Sequence, residues 1–356
     1  MMTRRTLSLA LIALLMGTRG VAAQADTTSA PGHTPTHYDI TLVPSDTGAH
    51  VLLEVETSWR LGSSLPVVVN LDSAFRVIRV LVDGKPNTRI SRTQFARSPS
   101  DVLVPHEKAA GDTLTTRVRY HGVPRGGVRA GPNRYGARAL VAQASTVDPS
   151  LWLPVPEADL RTAGVTFRIQ SDSGDRAIAN GKLTGADTLA YGHITSTYTT
   201  DHAIPLSGIV GAEGPYAVAT LGREGCASPC VPVSVWTWSR DSTFATQGPF
   251  RRAAEMLDYF TRLLGPFPWT SLAHVEAVIP TATVSGASVI LYGESGYGAH
   301  GLDETVVARE TARQWLTPGA PDSAATYLAG LWTRNAAGKK TNPKDADRIR
   351  GFLRAP

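Results

Sequence analysis

The 356-residue chain carries 35 basic and 30 acidic side chains, a formal net charge of +5, and only 2 cysteines. That balance is too mild to argue for a nucleic-acid partner, and none is expected. The length suffices for two domains with proper cores.

The chain opens with MMTRR, continues with the apolar run LSLALIALLMG, and then reads TRGVAAQADTT. A basic start, a short apolar core and small residues at Ala23 and Ala25 are the parts of a secretory signal peptide over residues 1–25. A membrane span needs roughly twenty apolar residues, and no later segment supplies them. The expectation is an exported protein, periplasmic or secreted, with no membrane span after cleavage. Cleavage removes Arg4, Arg5 and Arg19 and no acid, so the net charge falls from +5 to +2. Residues 26–36, DTTSAPGHTPT, read as a disordered polar leader.

From Tyr38 the texture becomes short alternating runs: YDITLV, HVLLEVETSW, PVVVNL, RVIRVLVDGKP, then TLTTRVRY, GVTFRIQ, HITSTYTT, YAVATL and VPVSVWTW. Each is rich in Val, Ile, Leu and Thr and is stopped by Gly, Pro, Asp or Ser. This predicts a β-rich domain over residues 37–240, a sandwich or saddle of mostly antiparallel sheets. Within it, Cys226 and Cys230 form a C-x3-C pair bounded by Pro and small residues. In an exported protein the pair reads as a local disulfide closing a turn. Zinc is the rival reading, but two thiolates alone do not make a closed site.

A second, α-containing domain is predicted over 246–356. In TQGPFRRAAEMLDYFTRLLG, residues Phe250, Ala253, Ala254, Leu257, Phe260 and Leu264 follow one helical face and Gly265 supplies the stop. GPFPW reads as a rigid turn and AHVEAVIP as a strand, followed by the Gly/Ser-rich stretch VSGASVILYGESGYGAHG. A second helix is expected over Asp303–Leu316, with Asp303 and Glu304 suiting its positive N-terminal end. A third helical stretch, SAATYLAGLW, leads into a polar, Lys-rich tail. The fold class is therefore α+β in two domains.

Several separated pieces resemble one family. HYDITLVPSD and RVLVDGKP, LWLPVPEADLRTAGVTFRIQ, AIANGKL, LLGPFPWTSLAHVEAVIP and VVARETARQWL occur in the order in which the M1 aminopeptidases of the gluzincin class carry similar segments. The resemblance spans about 290 residues, and no single piece of it is specific. It implies a saddle-like N-terminal domain and a truncated thermolysin-like domain. It also implies a cofactor, one zinc ion, and cleavage of N-terminal residues from peptides.

The residues depart from that implication. The family binds zinc through H-E-x-x-H, two histidines on one helix face. VVARETARQWL puts Arg309 and Arg313 at those two positions. A guanidinium stays protonated and offers no lone pair to a metal. The family's third ligand is a glutamate about nineteen residues further on, in a helix resembling WLNEGFATY; counting on from Arg313 reaches Trp332. Likeness to that helix resumes at ATYLAGLW, as if about eight residues carrying the ligand had been cut out, and no Glu follows Glu310. Where the family's GxMEN strand holds an acid for the substrate's amino terminus, SGASVILYGES keeps Gly286 but has Ser288 or Val289, with Glu294 too far along. Only 43 residues follow Arg313, too few for the family's downstream tyrosine and helical domain. Glu310 stands at the general-base position with no metal-activated water to serve. The expectation is an M1-like pseudoenzyme without zinc or peptidase activity.

Substitute sites are thin. His33 and His37 lie in the Pro-containing HTPTH, His106 begins HEKAA without a second histidine, and His300 with Asp303 and Glu304 could hold a cation only if a loop histidine were more than exposed. GESGYG is not a nucleophile elbow. The pair Arg309 and Arg313 has two readings: a salt-bridged face with Glu310 and Glu304 nearby, or a fork for a carboxylate or phosphate in the old peptide cleft. The segment RVRYHGVPRGGVRAGPNRYGAR, residues 117–138, has six arginines and no acid. It reads as a solvated loop or as a contact for an anionic surface through Arg125, Arg129 and Arg134. Expected partners are a peptide, or a protein covering apolar surface bared by the missing helical domain. A weak hydrolase with a rearranged site, or with ligands from a second subunit, is the alternative.

Overall fold

A computed structural model describes residues 32–45, 48–87, 101–156, 162–222, 226, 230–297, 301–316, 320–339 and 349. The expected signal peptide and residues 26–31 of the leader lie outside these. Thr34–Thr36 were expected in the disordered leader, but they open the strand Thr34–Pro44 and pair with Arg60 and Trp59 of Val51–Arg60. Pro35 is accommodated because the register shifts between it and His37, an irregularity that tolerates a missing N–H.

The alternating runs form sheets as their period demands. In Val51–Arg60, residues Val51, Leu53, Val55, Thr57 and Trp59 point inward and their neighbours outward. A nine-stranded sheet runs in the order Lys182–Thr188, Ile194–Thr199, Thr162–Ser171, Thr34–Pro44, Val51–Arg60, Thr113–Gly122, Phe75–Val82, Lys85–Pro86, with Ile204–Pro205 added beside Thr162–Ser171. The pairing of Thr34–Pro44 with Thr162–Ser171 is parallel and the others are antiparallel. A four-stranded sheet, Arg176–Ala179, Val210–Gly214, Arg138–Gln143, Val128–Pro132, shares one core with it. Trp152 stacks on Phe167 inside that core, with ring centroids 6.2 Å apart.

The strands YAVATL and VPVSVWTW do not pair with this β domain, although their alternation reads like the rest. Tyr216–Leu221 and Val233–Trp238 begin a five-stranded mixed sheet that continues with Leu272–Ala277, Val289–Gly293 and the edge strand Thr283–Ser285. The three middle strands are parallel, and Leu272–Ala277 and Val289–Gly293 are buried at every residue, as parallel strands covered on both faces must be. Alternate residues serve two cores. Val275, Val289 and Leu291 face the β domain, whereas Leu272, Ile290 and Tyr292 face the helices. The Gly/Ser-rich stretch thus contributes two short strands. The disulfide Cys226–Cys230 forms as expected, in the connection between Tyr216–Leu221 and Val233–Trp238.

The first expected helix is two: α1, Ser242–Gln247, and α2, Ala253–Leu264. Gly248 and Pro249 separate them, since Pro lacks the N–H that a continuous helix needs. Then come α3, Glu304–Arg313, and α4, Asp322–Ala336. Phe260 of α2, Val307 and Ala312 of α3, and Leu328 and Trp332 of α4 share the second core. Among the described residues from 216 on, Phe244 and Tyr327 are the large apolar side chains that are exposed, at 39% and 41%. No helix among the described residues is long and apolar enough to cross a membrane.

Two cores need a fixed relation, and AIANGKL helps to supply it. The buried Asn180 side chain donates to the carbonyls of Gly208 and Ala287 and accepts from the Val210 N–H. Gly181 adopts φ +88, and a Cβ there would lie 2.1 Å from the Thr199 carbonyl oxygen, so only glycine fits. Its N–H donates to Ser288 Oγ at 3.0 Å.

Candidate functional site

Helix α3 starts where its sequence says it should. The Asp303 side chain caps it by accepting from the Val306 N–H at 2.9 Å. Val307, Ala308, Thr311 and Ala312 are buried, which turns Arg309, Glu310 and Arg313 toward a cleft between α3 and the edge strand Thr283–Ser285. The cleft holds about 470 Å³, and Ser145 and Thr146 of the β domain close its far side.

At its base Glu310 is 2% exposed. One carboxylate oxygen accepts from Arg309 Nε at 3.0 Å and from Thr283 Oγ1 at 3.2 Å, and the other accepts from Arg313 Nε at 3.1 Å. Arg313 reaches on through Nη2 to Asp322, the first residue of α4. Burial opposes the charge on Arg313, but the Glu310 and Asp322 carboxylates outweigh it and raise its pKa. Asp322 is lowered in turn, chiefly by the hydrogen bond from Arg313. The salt-bridged reading of the arginine pair holds, with one change of partner. Glu304, expected beside it, instead meets Arg252 at 3.5 Å and the Trp332 indole N–H at 2.9 Å.

Asp322 is the residue that counting from Arg313 missed. Set against the ATY of residues 325–327, the glutamate of WLNEGFATY falls on Asp322. The connection from Arg313 is shorter than the family's, but an acid still begins the helix. Gln314 was also missed: it accepts from the Ser288 N–H at 3.0 Å and donates to Ser285 Oγ and the Gly286 carbonyl at 2.9 and 3.0 Å. It thereby ties α3 to the turn that ends the edge strand. In that turn Gly286 is obligatory, because a Cβ would lie 2.4 Å from Val210 Cγ2.

No protein-family profile and no curated protein matches the sequence. Solved structures do. An M1 zinc metallopeptidase from Deinococcus radiodurans superposes with a TM-score of 0.69 at 18% identity, covering 91% of this chain and 75% of that one. A point mutant of that enzyme bound to a Tyr-Ser-Ala substrate gives 0.69 at 20%, covering 91% and 77%. A related structure, of a two-domain M1 zinc metallopeptidase mutant bound to L-arginine, gives 0.69 at 19%, covering 89% and 74%. The chain has the M1 zinc metallopeptidase fold.

An M1 fold implies zinc, and the residues here do not fit it. A structural or catalytic zinc site draws on His, Cys, Asp and Glu, and no group of three or more of these could hold an ion among the described residues. Arg309 and Arg313 fill the helix face where imidazoles would be needed, and both oxygens of Glu310 already accept from them. The acid that an M1 exopeptidase presents to its substrate's amino terminus is also missing from the cleft. Ser288, at φ +64 and 2% exposed, and Val289, at 1%, are both buried away from it. Glu294 is committed elsewhere, accepting from the Arg134 N–H and the Trp238 indole N–H.

The other candidates disperse. His33 packs edge-on against His106 and His37 pairs with Thr166, both in extended chain, while His300 lies outside the described residues. The arginines of 117–138 face different ways. Arg117 pairs with Glu54 and Glu56 across the sheet, and Arg125 with Asp72. Arg134 binds Asp241 and the carbonyls of Glu294 and Tyr297, lying 3.7 Å from Glu276. Only Arg119 and Arg129 of these are exposed without a polar contact among the described residues.

Arg134 thus joins the two cores through a buried acid cluster. Burial, aided by Asp241, pushes Glu276 up to about 9. The folded chain therefore holds a proton on Glu276 that the unfolded chain releases near 4.5. This contribution is full below 4.5 and is lost as pH rises through about 9. Glu276→Gln, neutral at every pH, is expected to lose less stability than the parent between pH 5 and 9, by a few kcal/mol. Melting curves across that interval check it; parallel curves would place Glu276 in its ordinary titration range.

Proposed function

We propose that this chain is an exported M1-fold pseudoenzyme that binds no zinc at α3, cleaves no peptide, and serves as a peptide-binding protein. One observation carries the reading: the general-base position, Glu310, is clamped between the two guanidiniums that stand at the zinc-ligand positions. A carboxylate held that way has no activated water to deprotonate, and metal polarisation supplies much of such a reaction's rate. Export is supported by the N-terminal signal pattern and the Cys226–Cys230 disulfide.

Peptide binding is supported by what the cleft retains. Thr283–Ser285 is an edge strand whose residues line the cleft, with the Ser285 carbonyl accepting from Ser145 Oγ at 3.2 Å. An edge strand recognises an extended peptide through main-chain hydrogen bonds. The Deinococcus mutant with this fold binds the tripeptide Tyr-Ser-Ala.

The test is metal content and turnover on one preparation of the chain from residue 26. The expected result is no stoichiometric zinc by elemental analysis and no aminoacyl-arylamide cleavage, with or without chelator. One zinc per chain and chelator-sensitive turnover would overturn the reading.

A further inference from the structure

An aminopeptidase cleft must hold an ammonium group, so it needs an unpaired acid at the subsite that meets the peptide's end. This cleft has the opposite inventory. Its only acids among the described lining residues are Glu310 and Asp322. Glu310 accepts three hydrogen bonds from its neighbours and is 2% exposed. Asp322 is drawn to Arg313. The segment Thr283–Ala287 offers no carboxylate at all.

Donors, in contrast, are in surplus. Arg309 spends Nε on Glu310, but no hydrogen bond engages its Nη1 or Nη2 among the described residues, and its side chain is 29% exposed. Trp269 lines the same cleft and also a smaller pocket beside Asp201 and Thr270, and its shielded indole N–H has no acceptor among the described residues. A shielded donor without an acceptor costs free energy until one arrives. The two Nη groups form one edge of a planar fork that matches a carboxylate's two oxygens. Beside them, Val284 and Ala287 supply apolar lining and the edge strand supplies main-chain pairing.

We propose that the cleft takes a peptide by its carboxyl end, with the terminal carboxylate on the Arg309 Nη groups, reversing the polarity of an aminopeptidase. The inference rests on the peptide-binding reading above and adds the sense in which the peptide lies. Arg309 is the residue that touches the ligand; Arg313, through Glu310, positions it.

Three probes separate the ideas: N-acetyl-Tyr-Ser-Ala with a free carboxylate, Tyr-Ser-Ala-amide with a free amine, and N-acetyl-Tyr-Ser-Glu-amide with only a side-chain carboxylate. Calorimetry is expected to show the first binding about tenfold tighter than the other two, the worth of one charge-assisted fork. Arg309→Ala is expected to erase that preference. Arg309→Lys, which keeps the charge without the fork, is expected to fall between. Thermal melts of each variant confirm that it is folded before its binding is compared. Equal binding of the acid and amine probes sinks the carboxylate inference and leaves peptide binding standing. Equal binding of the glutamate probe removes the terminal specificity. Binding of none of the three overturns peptide binding and the inference together.

Discussion

Glu310→Ala is expected to destabilise this protein by about 3 kcal/mol. Glu310 is the shared counterion of two guanidiniums whose side chains are only 29% and 27% exposed. Removing one member of a buried ionic group leaves the others charged and unpaired, which typically costs about 3–5 kcal/mol. The partial exposure of both arginines argues for the lower end. Asp322 still balances Arg313 and acts at longer range on Arg309, which has no other direct carboxylate contact among the described residues. Glu310→Gln keeps the shape and an acceptor oxygen, so it is expected to cost less than the alanine. Urea unfolding followed by tryptophan fluorescence measures both. A loss below about 1 kcal/mol for the alanine variant would mean that the cluster is a loose surface arrangement.

The combined substitution Arg309→His, Arg313→His and Asp322→Glu is expected to create a zinc site at α3, one ion per chain, where the parent is expected to hold none. Two imidazoles at a spacing of four on α3 return the chelating face that the guanidiniums occupy. The acid at the start of α4 already reaches Arg313. Imidazole is shorter than the arginine side chain, so the added methylene of glutamate is needed to recover the span. Elemental analysis after dialysis, together with a chelator-sensitive rise in melting temperature, reads the outcome. If the triple variant folds and holds no metal, the shortened connection between α3 and α4 has moved the acid out of coordinating range. Asp322 would then be a salt-bridge partner alone.

What could be read in advance follows the range of the interactions. The sandwich strands were legible because burial alternates residue by residue in runs such as HVLLEVETSW. The α3 helix, its Asp303 cap and the arginines at the ligand positions were legible for the same reason, since all of it lies within fourteen residues. Strands such as Tyr216–Leu221 looked the same as those before them, yet belong to the next sheet; local pattern says that a strand forms, not which neighbour it finds. Thr283–Ser285 is three residues among glycines and serines, too short for any period to register.

The site's missed members are long-range. Asp322 was passed over because spacing was counted along the chain, whereas its position is set by how α4 packs on α3. The contacts of Arg309 and Arg313 with Glu310, by contrast, are local and lay within the salt-bridged reading of the pair. Arg134 meets Asp241 and Glu294 across more than a hundred residues, and nothing in the segment 117–138 announces those acids.

The clamp around Glu310 has a consequence for how such a protein can change. Two guanidiniums face two carboxylates, Glu310 and Asp322, so the group is electrically neutral, as a doubly charged ion between the same two acids would be. Exchanging either arginine alone for histidine at neutral pH breaks that parity: one acid is left without its cation, while the surviving guanidinium still obstructs a metal. Reversal therefore has to cross an intermediate that is neither balanced nor metallated. The paired-arginine arrangement is locked in by its own electrostatics.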